Sequence, residues 1–193
     1  MRDNIKILAD LNAPAFQITK FDAGRRQLRT AIELWFMNGD PVSIHALSYA
    51  AHEIIHRLFR VQGGSDLLFD TTLVKDEYRK EFTKQLKEDA NFFKHAERES
   101  NLNKTRRFKP AMNLLFIAVC ITGIQRMGKP LDDIEDAFLF WLYLHFPGWF
   151  YQGVCKHSIP VNALNQMRAM KKDGFLEAFL EVKRQLRASG KLG

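Results

Sequence analysis

The sequence predicts an all-α protein: a helical bundle of about five main helices with two shorter helices at the C-terminus. Apolar residues recur at the spacing of a helix face, and capping residues and glycines fall at the ends of these segments. No segment alternates apolar and polar residues as a half-buried strand would. At 193 residues we expect a single domain over residues 1–193, with an extended N-terminal arm over residues 1–18.

Capping signals define the first two helices. Residues 19–22, Thr-Lys-Phe-Asp, have the pattern of a helix N-terminus, and this helix is predicted to run to about Asn38 with Gly39 as its stop. Asp40-Pro41 then predicts the start of a second helix, because Asp is a favoured cap and Pro fits the first helical position. The second helix is predicted to end at Gly63-Gly64.

The remaining segments are separated by charged or glycine-containing stretches. A third helix is predicted from about residue 73 towards residue 96, either continuous or broken, and a charged connection follows over residues 97–109. Pro110 is predicted to open a nearly all-apolar, buried fourth helix that runs to Met127 and ends at Gly128. The other predictions are a fifth helix over 131–147, an irregular aromatic stretch over 148–160, and short helices over 162–170 and 174–188.

Composition and charge indicate a globular protein with a basic C-terminal part. The formal net charge is +7, and the residues from Lys156 onwards carry eight Lys and Arg against three acidic residues, a bias that can attract RNA, DNA or an anionic surface. We expect Cys120 and Cys155 to be reduced, half-buried thiols and not a disulfide or metal motif. The N-terminus has no signal-peptide pattern and no apolar run is long enough to span a bilayer, so a cytoplasmic protein without membrane association is expected.

A short motif in the second helix has the spacing of a metal site. His52-Glu53-Ile54-Ile55-His56 matches H-E-x-x-H, in which two histidines one turn apart share a zinc and the glutamate acts as general base. The longer metalloprotease pattern is absent, since Phe59 and Gln62 occupy its next two positions, and the expected sheet is missing. Protease function is therefore disfavoured, but zinc or another divalent metal on His52 and His56 stays open as an alternative cofactor. The leading hypothesis requires none.

A helical wheel of the same helix places its histidines beside the apolar stripe. The wheel puts His45, His52 and His56 at the edge of the core face, directed towards a neighbouring helix, and turns Glu53 towards solvent. Hydrogen-bonded boundary histidines are one interpretation, and metal ligation or proton transfer is the other. The apolar stripe of this helix is formed by Ile44, Leu47, Ala51, Ile54, Ile55 and Leu58.

A second polar group lies at the end of the third helix. If the segment is helical, Asn91 and His95 share a face and Arg98 follows one turn later. A histidine beside an amide and a cation is suited to proton transfer while charge develops on phosphate. We therefore predict His95, Asn91 and Arg98 as catalytic residues. The substrate-binding cations are predicted to be Lys94, Arg106 and Arg107.

The pattern Asn91-x-x-x-His95 in an all-helical chain resembles the HEPN superfamily, the higher eukaryotes and prokaryotes nucleotide-binding domains. The resemblance covers five residues and the fold class, and it implies the roles of motif asparagine and histidine for Asn91 and His95. It also implies RNA or nucleotide as partner, metal-independent ribonuclease activity in active members, and a homodimer. The motif arginine is missing, because Glu88, Asp89 and Ala90 fill its region. This departure favours a binding or altered relative over an active nuclease.

Three functional hypotheses follow. The first is a HEPN-like protein that binds or processes RNA or nucleotide, and the second is a metal-binding helical bundle enzyme that uses His52 and His56. The third is a non-enzymatic interaction module with a partner surface at Trp149-Phe150-Tyr151 and the basic C-terminal helices. An aromatic segment that only covers the end of the core is the simpler interpretation of residues 149–151.

Overall fold

The computed structural model describes residues 15–65, 67, 76–95, 103–149 and 161–190. Within these ranges the chain forms helices and no strand, which confirms the all-α prediction. A single 3₁₀ turn over Pro147–Trp149 follows the fifth helix. The helices are α1 (Lys20–Phe36), α2 (Pro41–Val61), α3 (Asp76–Lys94), α4 (Met112–Arg126), α5 (Asp133–His145), α6 (Val161–Ala169) and α7 (Lys172–Ala188).

Side-chain caps fix where α1, α2 and α5 begin. The hydroxyl of Thr19 accepts a hydrogen bond from the backbone N–H of Asp22 at 3.0 Å. The Asp22 carboxylate accepts one from the backbone N–H of Thr19, which completes a capping box. The Asp40 carboxylate accepts from the N–H of Ser43 at 2.7 Å. Asp132 caps α5 through the N–H groups of Ile134 and Glu135. These contacts satisfy N–H groups that a helix leaves without internal partners.

The C-terminus of α1 differs from the prediction. Asn38, not Gly39, adopts the left-handed conformation, with a φ of 53°. The N–H of Gly39 donates to the carbonyl of Leu34 at 2.7 Å and that of Asn38 to Trp35 at 3.3 Å, the two bonds of a Schellman motif. Asn tolerates this conformation better than most residues. Asn38 therefore occupies the left-handed position at the end of α1 that Gly63 and Gly128 occupy at the ends of α2 and α4.

The central helix α4 begins two residues later than predicted. A tight turn precedes Met112. Three successive backbone hydrogen bonds form it, in which the carbonyls of Lys109, Pro110 and Ala111 each accept from the N–H three residues later. No residue from 112 to 124 is exposed, as the apolar pattern predicted. Cys120 is fully buried, not half-buried as expected, and burial raises the pKa of its thiol.

The buried residues of the main core come from five of the seven described helices, namely α1, α2, α4, α5 and α7. Trp35 makes edge contacts with Phe138 and Trp141 at ring-centroid distances of 5.1 and 4.5 Å, which ties α1 to α5. Phe175 of α7 stacks on Phe36 of α1 at 6.0 Å. The surrounding buried residues of this cluster include Leu28, Ile32, Ile44, Ile55, Ile117, Ile121, Ile124, Leu142 and Leu144.

Helix α2 is buried on two sides, which corrects the helical-wheel interpretation. It packs against α1 on one side and α4 on the other. His45 and His52 are 1% and 0% exposed, so they belong to a buried face and not to its edge, whereas Leu47 and Ile54 are only half-buried. A wheel built on apolar residues alone missed this face because its buried positions are His45, Ser48, Tyr49 and His52.

Gly123 allows α4 to approach α2 closely, and its replacement by alanine is expected to be destabilising. A Cβ there would lie 2.7 Å from Cγ2 of the buried Ile55 and 3.2 Å from Leu67. We expect Gly123→Ala to lower the free energy of unfolding by about 1–3 kcal/mol, because this overlap outweighs the gain of about 1 kcal/mol in helix propensity.

The matched control is Gly174→Ala in α7, where a Cβ meets nothing within 4 Å. This substitution should raise the free energy of unfolding by about 0.5–1 kcal/mol. Urea denaturation of both variants measures the difference. Stabilisation by both substitutions would contradict the close approach at Gly123.

Several predictions concern residues outside the described ranges. The N-terminal arm lies mostly in residues 1–14, and the aromatic residues Phe150 and Tyr151 and the second cysteine, Cys155, lie in 150–160. Among the described helices, none has both the length and the apolar character that crossing a membrane requires.

Candidate functional site

Asn91 and His95 lie where α3 ends. The backbone N–H of His95 donates to the Asn91 carbonyl at 3.1 Å, so helical hydrogen bonding continues one residue beyond Lys94. The Asn91 side chain is exposed and that of His95 is half-buried. The helix therefore holds both side chains on one side of its C-terminal turn.

Arg106 is anchored to α3 by two carboxylates. Its Nε donates to the Asp89 carboxylate in a short contact, and its Nη2 donates to Oε2 of Glu88 at 3.0 Å. The hydrogen bond with Asp89 raises the pKa of Arg106 above its usual value, so the guanidinium keeps its charge. An arginine has five N–H donors, and the described residues provide no partner for the other three of Arg106.

These contacts create an open cavity of about 470 Å³ between the end of α3 and the segment 104–107. We call it the His95 cavity. Three cationic side chains and one carboxylate line it, together with the amide and the imidazole of the predicted pair. Its functional lining is Glu88, Asn91, His95, Lys104, Arg106 and Arg107. The excess of cations makes the cavity suited to an anionic group.

Lys94, a predicted substrate-binding residue, does not line the His95 cavity. The Nζ of Lys94 lies 3.4 Å from Oε2 of Glu53 and 4.7 Å from the ring centroid of Tyr49, so Lys94 bridges α3 to α2. Arg98, the third predicted catalytic residue, lies outside the described residues.

His52 lies in the buried face of α2, and His56, one turn later, is half-buried. Their ring centroids are 5.6 Å apart with an interplanar angle of 25°, so the rings stack. Burial, followed by the positive charges of His56 and Lys87, lowers the pKa of His52 to about 3. No cluster of three or more His, Cys, Asp or Glu side chains that could hold a metal occurs among the described residues. A metal on His52 and His56 stays a prediction.

His45 has a defined hydrogen-bonding state. The side-chain amide of Asn113 donates through Nδ2 to the Pro41 carbonyl at 2.9 Å, so its Oδ1 is the atom 2.9 Å from Nδ1 of His45. Because an amide oxygen only accepts, Nδ1 of His45 carries the proton and Nε2 presents a lone pair. The ring centroids of Phe93, Phe108 and Phe116 lie 5.2–5.6 Å from the His45 ring.

Sequence reasoning missed Glu88, Asp89 and Asn113 as site residues. Glu88 and Asp89 were considered only because they replace the family arginine, yet they hold Arg106 beside Asn91 and His95. The signal that could have found Asn113 is a polar residue within the apolar run of α4. Its long-range partners, His45 and Pro41, are not visible in a sequence pattern.

The comparisons with known proteins add no assignment. No family model, no curated protein and no solved structure matches this chain. The resemblance to the HEPN superfamily therefore rests on the residues already described.

Proposed function

We propose that this protein binds RNA or a nucleotide through a phosphate group seated in the His95 cavity. The observation that carries the proposal is that the cavity brings Asn91 and His95 together with Arg106, Arg107 and Lys104. Arginine and lysine side chains are the usual protein groups that bind phosphate oxygens. The overall charge of +7 adds long-range attraction for a polyanion.

Arg106 supports the proposal because it supplies, from another part of the chain, the cation that the motif lacks in sequence. Its pairing with Glu88 and Asp89 fixes the guanidinium next to α3. Its remaining N–H donors are available to a phosphate. Arg107 forms no ion pair with the residues that the structure describes and is exposed, so it provides charge that no described carboxylate neutralises.

His95 gives the site a group that can assist RNA processing. In cleavage by the ribose 2′-hydroxyl, the 2′-oxygen attacks the adjacent phosphorus and the P–O5′ bond breaks. His95 would accept the 2′-proton, and water would supply the proton to the leaving O5′. The products are a 2′,3′-cyclic phosphate and a free 5′-hydroxyl, and no metal takes part. Asn91 and the cations would orient and stabilise the phosphate.

Arg107→Ala is expected to weaken RNA binding by about threefold to tenfold at 50 mM salt. It should also reduce the slope of log affinity against log salt concentration by about one, because one phosphate contact is lost. Fluorescence anisotropy with a 5′-labelled single-stranded RNA of 20 nucleotides measures both quantities.

Arg184→Ala is the matched control, since Arg184 is exposed on α7 and pairs within its own helix with Glu181. Equal losses in the two variants would assign the effect to net charge and contradict this cavity as the site. Wild-type protein that neither retains nor cleaves RNA at low salt would overturn the proposed function. Any cleavage observed must survive chelator and be lost in His95→Gln.

A further inference from the structure

A second cavity adjoins the His95 cavity. It has a volume of about 390 Å³ and lies between α3, the segment 106–109 and the start of α4. We call it the His45 cavity. Glu88, Arg106 and Arg107 line both cavities, so the two are neighbours that share one rim. A ligand with its phosphate in the first cavity can therefore extend into the second.

Three apolar side chains and His45 form part of the lining of the His45 cavity, and the rest of the lining is polar or charged. Leu86, Met112 and Phe116 line it, and Leu86 and Phe116 are 4% and 0% exposed. His45, 1% exposed, lines the same cavity. Apolar and aromatic side chains beside a few fixed polar groups are typical of binding sites for small organic ligands.

Nε2 of His45 is an acceptor in this cavity, and no described residue donates a hydrogen bond to it. Asn113 holds the proton of His45 on Nδ1, which leaves Nε2 as a lone pair. Nε2 is buried and has no hydrogen-bond partner among the described residues. Buried acceptors are nearly always satisfied in native proteins, so a donor from a ligand is the expected partner. Burial lowers the pKa of His45, which keeps the ring neutral and accepting near pH 7.

We propose that the His45 cavity binds the base of a ribonucleotide, with Nε2 of His45 accepting a hydrogen bond from an exocyclic amino group of that base. This inference rests on the proposed function, because the phosphate of the same nucleotide occupies the His95 cavity. The Nε2 atom is enclosed, so the base reaches it when a side chain at the opening changes rotamer. Met112 lines the cavity and has a long, flexible side chain suited to that movement.

The test compares nucleotides that differ only in the base. Adenosine 5′-monophosphate is expected to bind at least about fivefold more tightly than ribose 5-phosphate. It should also exceed purine riboside 5′-monophosphate, which lacks the amino group, by a similar factor. Calorimetric titration at 50 mM salt measures the three affinities. Long-range ¹H–¹⁵N spectra should show a shift of the His45 Nε2 resonance with adenosine 5′-monophosphate alone, with His45→Phe used for assignment.

A cavity-filling variant locates the effect. Met112→Trp should remove the preference for adenosine 5′-monophosphate and leave ribose 5-phosphate affinity unchanged, whereas Met37→Trp, at an exposed position, should retain the preference. Equal affinity of wild-type protein for all three ligands would overturn the base site while leaving the phosphate site in place. Absence of binding by all three, and of RNA, would overturn both proposals.

Discussion

Replacing Arg25 by alanine is expected to lower the free energy of unfolding by about 3–5 kcal/mol, because it leaves the buried carboxylate of Glu135 without its counter-charge. Nη2 and Nε of Arg25 donate to the two oxygens of Glu135 at 2.6 and 2.9 Å. Nη2 also donates to the Pro130 carbonyl at 2.8 Å. The Glu135 side chain is 0% exposed. Burial raises the pKa of Glu135 while the hydrogen bonds from Arg25 lower it, so its charge depends on the guanidinium.

The same helix provides the control. Arg29 forms an exposed ion pair with Glu33 at 3.1 Å, and Arg29→Ala should change stability by no more than about 0.5 kcal/mol. The double variant Arg25→Met/Glu135→Leu should recover most of the loss, since it removes both charges and fills the space. Urea denaturation at pH 7 measures all three. Similar losses for Arg25→Ala and Arg29→Ala would show that the buried pair contributes no more than a surface pair.

Lowering the pH from 7 to 5 is expected to destabilise the protein by about 2 kcal/mol through His52. The unfolded chain binds a proton at this histidine below about pH 6.5, whereas the folded chain, with its pKa near 3, does not. The unfolded state therefore binds more protons throughout this window. The contribution of His52 to the free energy of unfolding is fully present above about pH 6.5. Between about pH 6.5 and pH 3 it falls by about 1.4 kcal/mol for each pH unit. His45 acts in the same direction, because burial also lowers its pKa.

His52→Phe should remove most of this pH dependence. The side chain already packs edge-on against Phe116 at a ring-centroid distance of 5.5 Å, so an aromatic ring suits the space. His95→Gln serves as the control, because His95 is only half-buried beside an open cavity. Denaturation curves at pH 7, 6 and 5 give the slopes. An unchanged slope in His52→Phe would mean that this histidine is protonated in the folded protein.

The order and approximate bounds of the helices could be predicted because their determinants are local. Thr19 and Asp132 form hydrogen bonds with residues two to three positions away. Contacts over so few residues can be recognised from short sequence patterns. The sequence could not predict that Asn38, and not Gly39, adopts the left-handed conformation at the end of α1. Both residue types are acceptable in that conformation, and which of them adopts it depends on the close approach of Gly39 to Leu34.

The arrangement of the site depends on long-range contacts and was less predictable. Local spacing paired Asn91 with His95, but the placement of Arg106 results from carboxylates 17 and 18 residues earlier. The wheel for α2 correctly directed His45 and His52 towards a neighbouring helix. It put them at the edge of the core face, whereas both are buried, because a wheel cannot show that α4 covers that face. Asn113, 68 residues from His45, determines which nitrogen of that ring is protonated.

The burial of the Cys120 sulfur determines how readily this cysteine can be chemically modified. Its Sγ lies 3.8 Å from the Ser48 carbonyl between α4 and α2, and burial holds the thiol in its protonated form. Alkylating reagents and oxidants react with the thiolate and not with the protonated thiol. Cys120 is therefore unreactive while α2 and α4 stay together. Modification of Cys120 therefore requires an opening of the core, and its rate reports how often α2 and α4 separate.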